Sequence, residues 1–111
     1  MTVTSARAVF DRQLACLSRG DLEGLLENYA PDAVLLRFDA EFSGIERISE
    51  AFSGYLALRP RLVALTHYAE SSDMIFYRAL MEIAGETKET IGTMMFTNEK
   101  ISRQTAAVLH G

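Results

Sequence analysis

Between Ser5 and Arg19 the apolar residues Ala6, Val9, Phe10, Leu14 and Leu17 recur at steps of three and four, which predicts a helix with one buried face. Gln13 falls inside that stripe beside Phe10 and Leu17. Its amide therefore either meets a polar partner in the interior or sits at the stripe's edge and bonds backbone, because an unpaired buried amide costs about 1–3 kcal/mol. Gly20 supplies a left-handed stop. Asp21 then caps a second, shorter helix through Leu22, Leu25, Leu26 and Tyr29, which Pro31 ends. Residues 33–38 are apolar and partly β-branched and predict a short, mostly buried strand; 39–44 predict a loop. Ser43-Gly44-Ile45-Glu46 has capping-box spacing and opens a third helix with Ile45, Ile48, Ala51, Phe52, Tyr55 and Leu56 on one side. Arg59-Pro60 closes it.

Beyond Pro60 the period shortens, predicting strands at 61–70, 74–84, 88–97 and 100–109, separated by turn residues at Ser71-Ser72-Asp73, Gly85-Glu86 and Asn98-Glu99. Helices followed by an antiparallel meander, with one strand placed early, imply an α+β fold in which helices cover one face of a curved sheet. A chain of 111 residues has room for one core, so 1–111 is expected to be a single domain.

Composition narrows the function classes. A net charge of −4 argues against a broad basic face for nucleic acid. The apolar runs are far shorter than a membrane span, and the opening MTVTSARAVF lacks a signal core, so a soluble cytoplasmic protein is expected. Cys16 is the only cysteine and falls in a helical pattern, where a buried, inert thiol is expected. With His67 and His110 the only histidines, no metal site and no cofactor are expected; His110 and Gly111 carry no signal.

Three stretches carry a family resemblance: GDLEGLLENYAPDAVL at 20–35, SGIERISEAF at 43–52 and MMFTNEKISRQTAAVL at 94–109. With the order of elements, they resemble the nuclear-transport-factor-2-like superfamily, which includes SnoaL-like polyketide cyclases, ketosteroid isomerases and scytalone dehydratases. The resemblance implies a cone-shaped, cystatin-like curved sheet, mixed or antiparallel, wrapped around three N-terminal helices. Ketosteroid isomerases use an aspartate base and two acidic donors, a tyrosine and a protonated aspartate. The corresponding positions here hold Arg37 (base), Gln13 (tyrosine) and Gly92 (aspartate), so steroid isomerisation by that mechanism is not expected.

The remaining polar residues supply candidates. Arg37, near the end of the early strand, either anchors or polarises a ligand carbonyl or pairs with Asp39 for structure. Asp39, which the resemblance puts at the cone's mouth, is a general base if burial raises its pKa and otherwise a solvated loop residue. His67 either moves a proton or is a packed or surface residue; alternation puts it on one face with Leu65, opposite Thr66 and Tyr68. The resemblance places Tyr77 and Gln104 on the concave face with Ala79, Met81, Ala106 and Val108, and Gln13, Tyr77, Gln104, Phe52 and Met81 form the expected ligand-binding set. On the opposite face Leu80, Ile91, Met95, Ala107 and Leu109 form an apolar row that implies a homodimer. The expected function is binding of a small apolar carbonyl compound, with isomerisation, cyclisation or dehydration as its chemistry. The alternative is a non-catalytic homodimeric interaction or ligand-carrier module.

Overall fold

The computed structural model describes residues 5–109; His110 and Gly111 lie outside the described residues. Helix α1 spans Ala6–Arg19, with the Ser5 hydroxyl accepting from the Ala8 amide and Gly20 closing it at φ 68°. Helix α2 spans Leu22–Glu27, and the Asp21 carboxylate accepts from the Gly24 amide as its cap. Strand β1 follows at Tyr29–Leu36 and β2 at Glu41–Ser43, before helix α3 at Ile45–Leu56. The four long strands are β3 Arg61–Glu70, β4 Met74–Ile83, β5 Glu86–Thr97 and β6 Lys100–Leu109.

Among the described residues the strands form one six-stranded sheet in the order β2-β1-β6-β5-β4-β3. β1 runs parallel to β6; all other neighbours are antiparallel. β5 and β6 are joined by Asn98 and Glu99, both at positive φ (51° and 64°), which matches the right-handed twist of a two-residue hairpin.

Three sequence expectations change. Tyr29 does not end α2 but begins β1, and Pro31 lies in the stretch of β1 where the pairing with β6 shifts register, a position that needs no ladder amide. The expected loop at 39–44 contains β2, whose Phe42 pairs with Leu35. The capping box does not form, because Ser43 is held in β2 and no side chain caps α3. The chain turns into α3 through Gly44, at φ 88° and ψ 158°, while its amide donates to the Ala33 carbonyl at 2.8 Å.

Curvature comes from extra residues. β3 shifts register against β4 between Leu62 and Ala64 and again between Leu65 and His67, and β5 shifts against β6 after Met95. Each such bulge bends its strand and increases the local twist. The sheet therefore wraps the helices, and the core packs Val9, Phe10 and Leu17 of α1 and Ile48 and Phe52 of α3 against Ile75, Met94 and Ile101. The second bulge also breaks strict alternation: Leu65 and Tyr68 pack toward the core, leaving His67 exposed.

The Gly44 conformation is essentially restricted to glycine, although a Cβ there would meet nothing within 4 Å. Gly44→Ala is therefore expected to lower the unfolding free energy by about 1–3 kcal/mol through backbone strain alone. A urea midpoint unchanged from wild type would show that the turn relaxes.

Candidate functional site

The bent sheet leaves a hollow of about 390 Å³ between its concave face and helices α1 and α3. Its walls are mainly apolar, with Phe10 and Leu14 from α1, Phe52 from α3 and Ala79 and Met81 from β4. Arg37, Phe38 and Asp39, just past the end of β1, stand at its exposed edge. A second depression, about 340 Å³, lies on the outer face between Leu36, Phe38 and Phe76. Only the first gathers buried polar side chains.

Two of them, Gln13 and Gln104, belong to one chain of hydrogen bonds. The Arg12 guanidinium donates through Nε to Asn28 Oδ1 at 3.3 Å, and Asn28 Nδ2 donates to Gln13 Oε1 at 3.0 Å. Gln13 Nε2 donates to the Tyr29 hydroxyl at 2.8 Å, and that hydroxyl donates to Gln104 Oε1. The partner expected for Gln13 is therefore Tyr29, with Asn28 on the amide's other end. Gln13 and Gln104 are only 3% and 6% exposed. No fully buried side-chain nitrogen or oxygen among the described residues lacks a partner.

Gln104 also reaches Tyr77. Burial pushes the Tyr77 phenol up to about 12, the nearby Tyr55 adds to this, and the hydrogen bond from Gln104 pulls the other way. The Tyr77 ring stacks on Phe10 at 5.1 Å and lies over Gly92, its cross-strand partner. A Cβ at position 92 would sit 2.6 Å from the Tyr77 hydroxyl and 2.6 Å from the Thr105 carbonyl oxygen.

The structure thus brings Gln13, Arg37, Asp39, Phe52, Tyr77, Met81 and Gln104 together around one hollow. His67 is not among them; it is exposed on the convex side, opposite Arg78, whose hydrogen bond to Glu89 holds that carboxylate below its ordinary pKa. Arg37 is not a buried strand residue, since β1 ends at Leu36. Its side chain is 43% exposed and its Nε lies 3.8 Å from Asp39, whose side chain is 76% exposed. Cys16 is buried outside the lining, and burial raises its thiol pKa.

Sequence reasoning missed Asn28 and Tyr29, assigned Tyr55 only to an apolar stripe, and did not single out Thr90. All but Asn28 and Tyr29 line the hollow directly. Tyr55 was findable: it follows Phe52 by three residues, so its ring shares the buried face while its hydroxyl reaches beyond it. Burial raises its pKa, and Arg37 offsets part of that.

The SnoaL-like domain family matches residues 10–104, so the chain belongs to that family. Its fold is that of the nuclear-transport-factor-2-like superfamily. A protein of unknown function from Cytophaga hutchinsonii with this fold superposes with a TM-score of 0.82 at 10% identity, covering 97% of this chain and 93% of that one. A candidate polyketide cyclase from Sinorhizobium meliloti gives 0.76 at 19% identity over 88% and 92% of the two chains. A candidate ketosteroid isomerase from Kribbella flavida gives 0.82 at 13% identity over 95% and 78%. A sequence comparison with curated proteins found no match. No helix among the described residues is long and apolar enough to cross a membrane.

The Tyr77 phenol sets an alkaline limit. Its folded pKa of about 12 lies above the ordinary 10.0, so in that interval the folded state holds a proton the unfolded state has released. Stability from this group is complete below pH 10 and is lost as pH rises toward 12. Between pH 9 and 11, wild type is expected to lose about 1 kcal/mol more unfolding free energy than Tyr77→Phe. Parallel urea titrations at the two pH values check this, and equal losses in both proteins would refute it.

Proposed function

We propose that this SnoaL-like domain binds a small, mostly apolar carbonyl compound within the cone. The observation that carries this reading is the apolar hollow of about 390 Å³ into which Tyr77 and Gln104 bring polar groups. A pocket of this kind buries a ligand's carbon skeleton and uses a few placed polar groups to fix its pose. Arg37 at the rim supplies a fixed positive charge for a carboxylate or a polarised carbonyl. Structural neighbours named for polyketide and ketosteroid chemistry fit the same ligand class.

In this reading the chemistry is proton transfer adjacent to that carbonyl, as in an isomerisation, cyclisation or dehydration without a cofactor. Among the described residues Asp39 is the only carboxylate in the lining, and it serves as the base. His67 takes no part, being on the other side of the sheet. In a thermal-shift screen, small aromatic ketones and carboxylates are expected to raise the wild-type melting temperature. Arg37→Met removes an exposed charge and should change stability by no more than about 0.5 kcal/mol, while abolishing the shift from carboxylates. Asp39→Asn should keep binding and lose turnover. If no compound shifts wild type, or both variants respond as it does, the homodimeric interaction-module reading replaces this one.

We further propose that the convex face of the sheet joins two copies of the chain. Met74, Phe76 and Met95 are 42%, 55% and 42% exposed there, on the same face as Leu80, Ile91, Ala107 and Leu109. Exposed apolar side chains of this size, spread over β4, β5 and β6 around the Arg78–Glu89 ion pair, are costly to leave in water. Light scattering at micromolar concentration is expected to give twice the chain mass of 12.3 kDa. Phe76→Glu should return it to a monomer, and a monomeric wild type would refute the dimer.

A further inference from the structure

Burial along the concave face of the sheet falls in one direction. Met94 of β5 and its cross-strand partner Gln104 of β6 are both buried; further along, Thr90 is buried and its partner Val108 is exposed. Lys88 comes next after Thr90 on that face of β5, pairs with Met81 of β4, and has a side chain 34% exposed. The hollow thus runs from the buried Gln104 amide outward to Lys88, and both residues line it. Its charges are unevenly placed. Among the described residues the charged side chains in the lining are Arg37, Asp39 and Lys88. Arg37 and Asp39 oppose each other at 3.8 Å and leave little net charge between them. The carboxylate beside Lys88 is Glu86, at 3.3 Å, but it is 72% exposed and outside the lining. An exposed ion pair of this kind contributes little, so a ligand anion displaces it at small cost. A chain of net charge −4 therefore surrounds the opening of an apolar hollow with an excess of positive charge.

We infer that Lys88 holds the anionic head of the ligand, which is an amphipathic monocarboxylate that enters the hollow with its apolar end first. The inference rests on the pocket reading above and deepens it by naming the ligand's charge and direction of entry. A lysine at the edge of an apolar wall packs its stem along that wall and keeps its ammonium near water. A carboxylate meeting it there retains part of its hydration, whereas the same group deep in the hollow would lose all of it. The deeper wall offers the apolar body Phe10, Phe52 and Met81. A carboxylate carries a single charge and balances the excess that Lys88 leaves; a phosphate monoester, with about 1.5–2 negative charges at neutral pH, exceeds it.

Two probes that share a ring system and differ in charge, 2-naphthoate and 2-acetonaphthone, separate this inference from the pocket reading. Isothermal titration of the full chain at low salt is expected to show the naphthoate binding roughly 3- to 10-fold more tightly, between the effect of an exposed ion pair and that of a buried charge-assisted hydrogen bond. Lys88→Met keeps an apolar stem and should weaken naphthoate to the level of the ketone. Lys88→Arg keeps the charge and should retain the preference. Arg47→Met removes one charge from an exposed position on α3 outside the lining and should also retain it, which separates a contact at Lys88 from the change in net charge. Added salt should weaken naphthoate more than the ketone. Methyl-¹³C methionine spectra report where the probes sit: Met81 and Met94 line the hollow, while Met74 and Met95 are exposed on the convex face, and only the first pair should shift. Equal binding of the two probes, a preference that survives Lys88→Met, or one lost equally in Arg47→Met overturns the inference and leaves the pocket standing. If neither probe binds, or the shifts fall only on Met74 and Met95, the pocket reading falls and this inference with it.

Discussion

Much of the architecture depends on satisfying one buried amide. Gln13 occupies a core position on α1, and its amide would cost about 1–3 kcal/mol if it were left unpaired there. Its partners come from Asn28 and Tyr29, at the junction where α2 becomes β1, and through Tyr29 from Gln104 on β6. The same junction carries the backbone bond from the Ile101 amide to the Asn28 carbonyl at 2.8 Å. Helix, first strand and last strand are therefore fixed to each other by polar groups at a point where apolar contact alone would allow sliding. The parallel β1–β6 pair, which joins residues far apart in sequence, has this network as its anchor.

The cavity follows from the bending of the sheet. A flat sheet would let α1 and α3 lie against it along their whole length. The register shifts in β3 and between β5 and β6 turn the concave face around the helices. Ile48, Ile75 and Ile101 are almost fully buried in the core. Arg37 and Asp39 stand at the exposed edge of the hollow that remains between the layers. The bulge that exposes His67 is part of that bending, so the geometry that makes the pocket also removes the histidine from it.

The fold was legible because its signals are local and repeated. The stripes of α1 and α3 and the period of the four long strands each set an element within a few residues, and the family resemblance supplied the face on which Tyr77, Met81 and Gln104 lie. What was not legible depends on pairing. β2 is three residues long and exists only because Glu41–Ser43 meets β1. The capping-box spacing at Ser43 was a true local pattern overridden by that strand. Alternation failed for His67 because an extra residue in β3 is invisible until β4 is laid beside it. Arg37 was read as buried because the residues before it are apolar, yet the strand stops one position earlier.

The chemistry at the base of the cone shows why family membership transfers a fold more readily than a reaction. In an acid-base site the decisive groups are few, and each can be replaced without disturbing the sheet. Where the resembled isomerases place an acidic donor, this chain has Gly92, and the volume above it is taken by the Tyr77 phenol from the neighbouring strand. The hydroxyl reaches that volume from a different backbone position. Its ring packs against Phe10, with centroids 5.1 Å apart. A buried carboxylic acid can donate only when kept protonated against its ordinary pKa, whereas a phenol whose pKa is raised by burial is already a neutral donor across the physiological range.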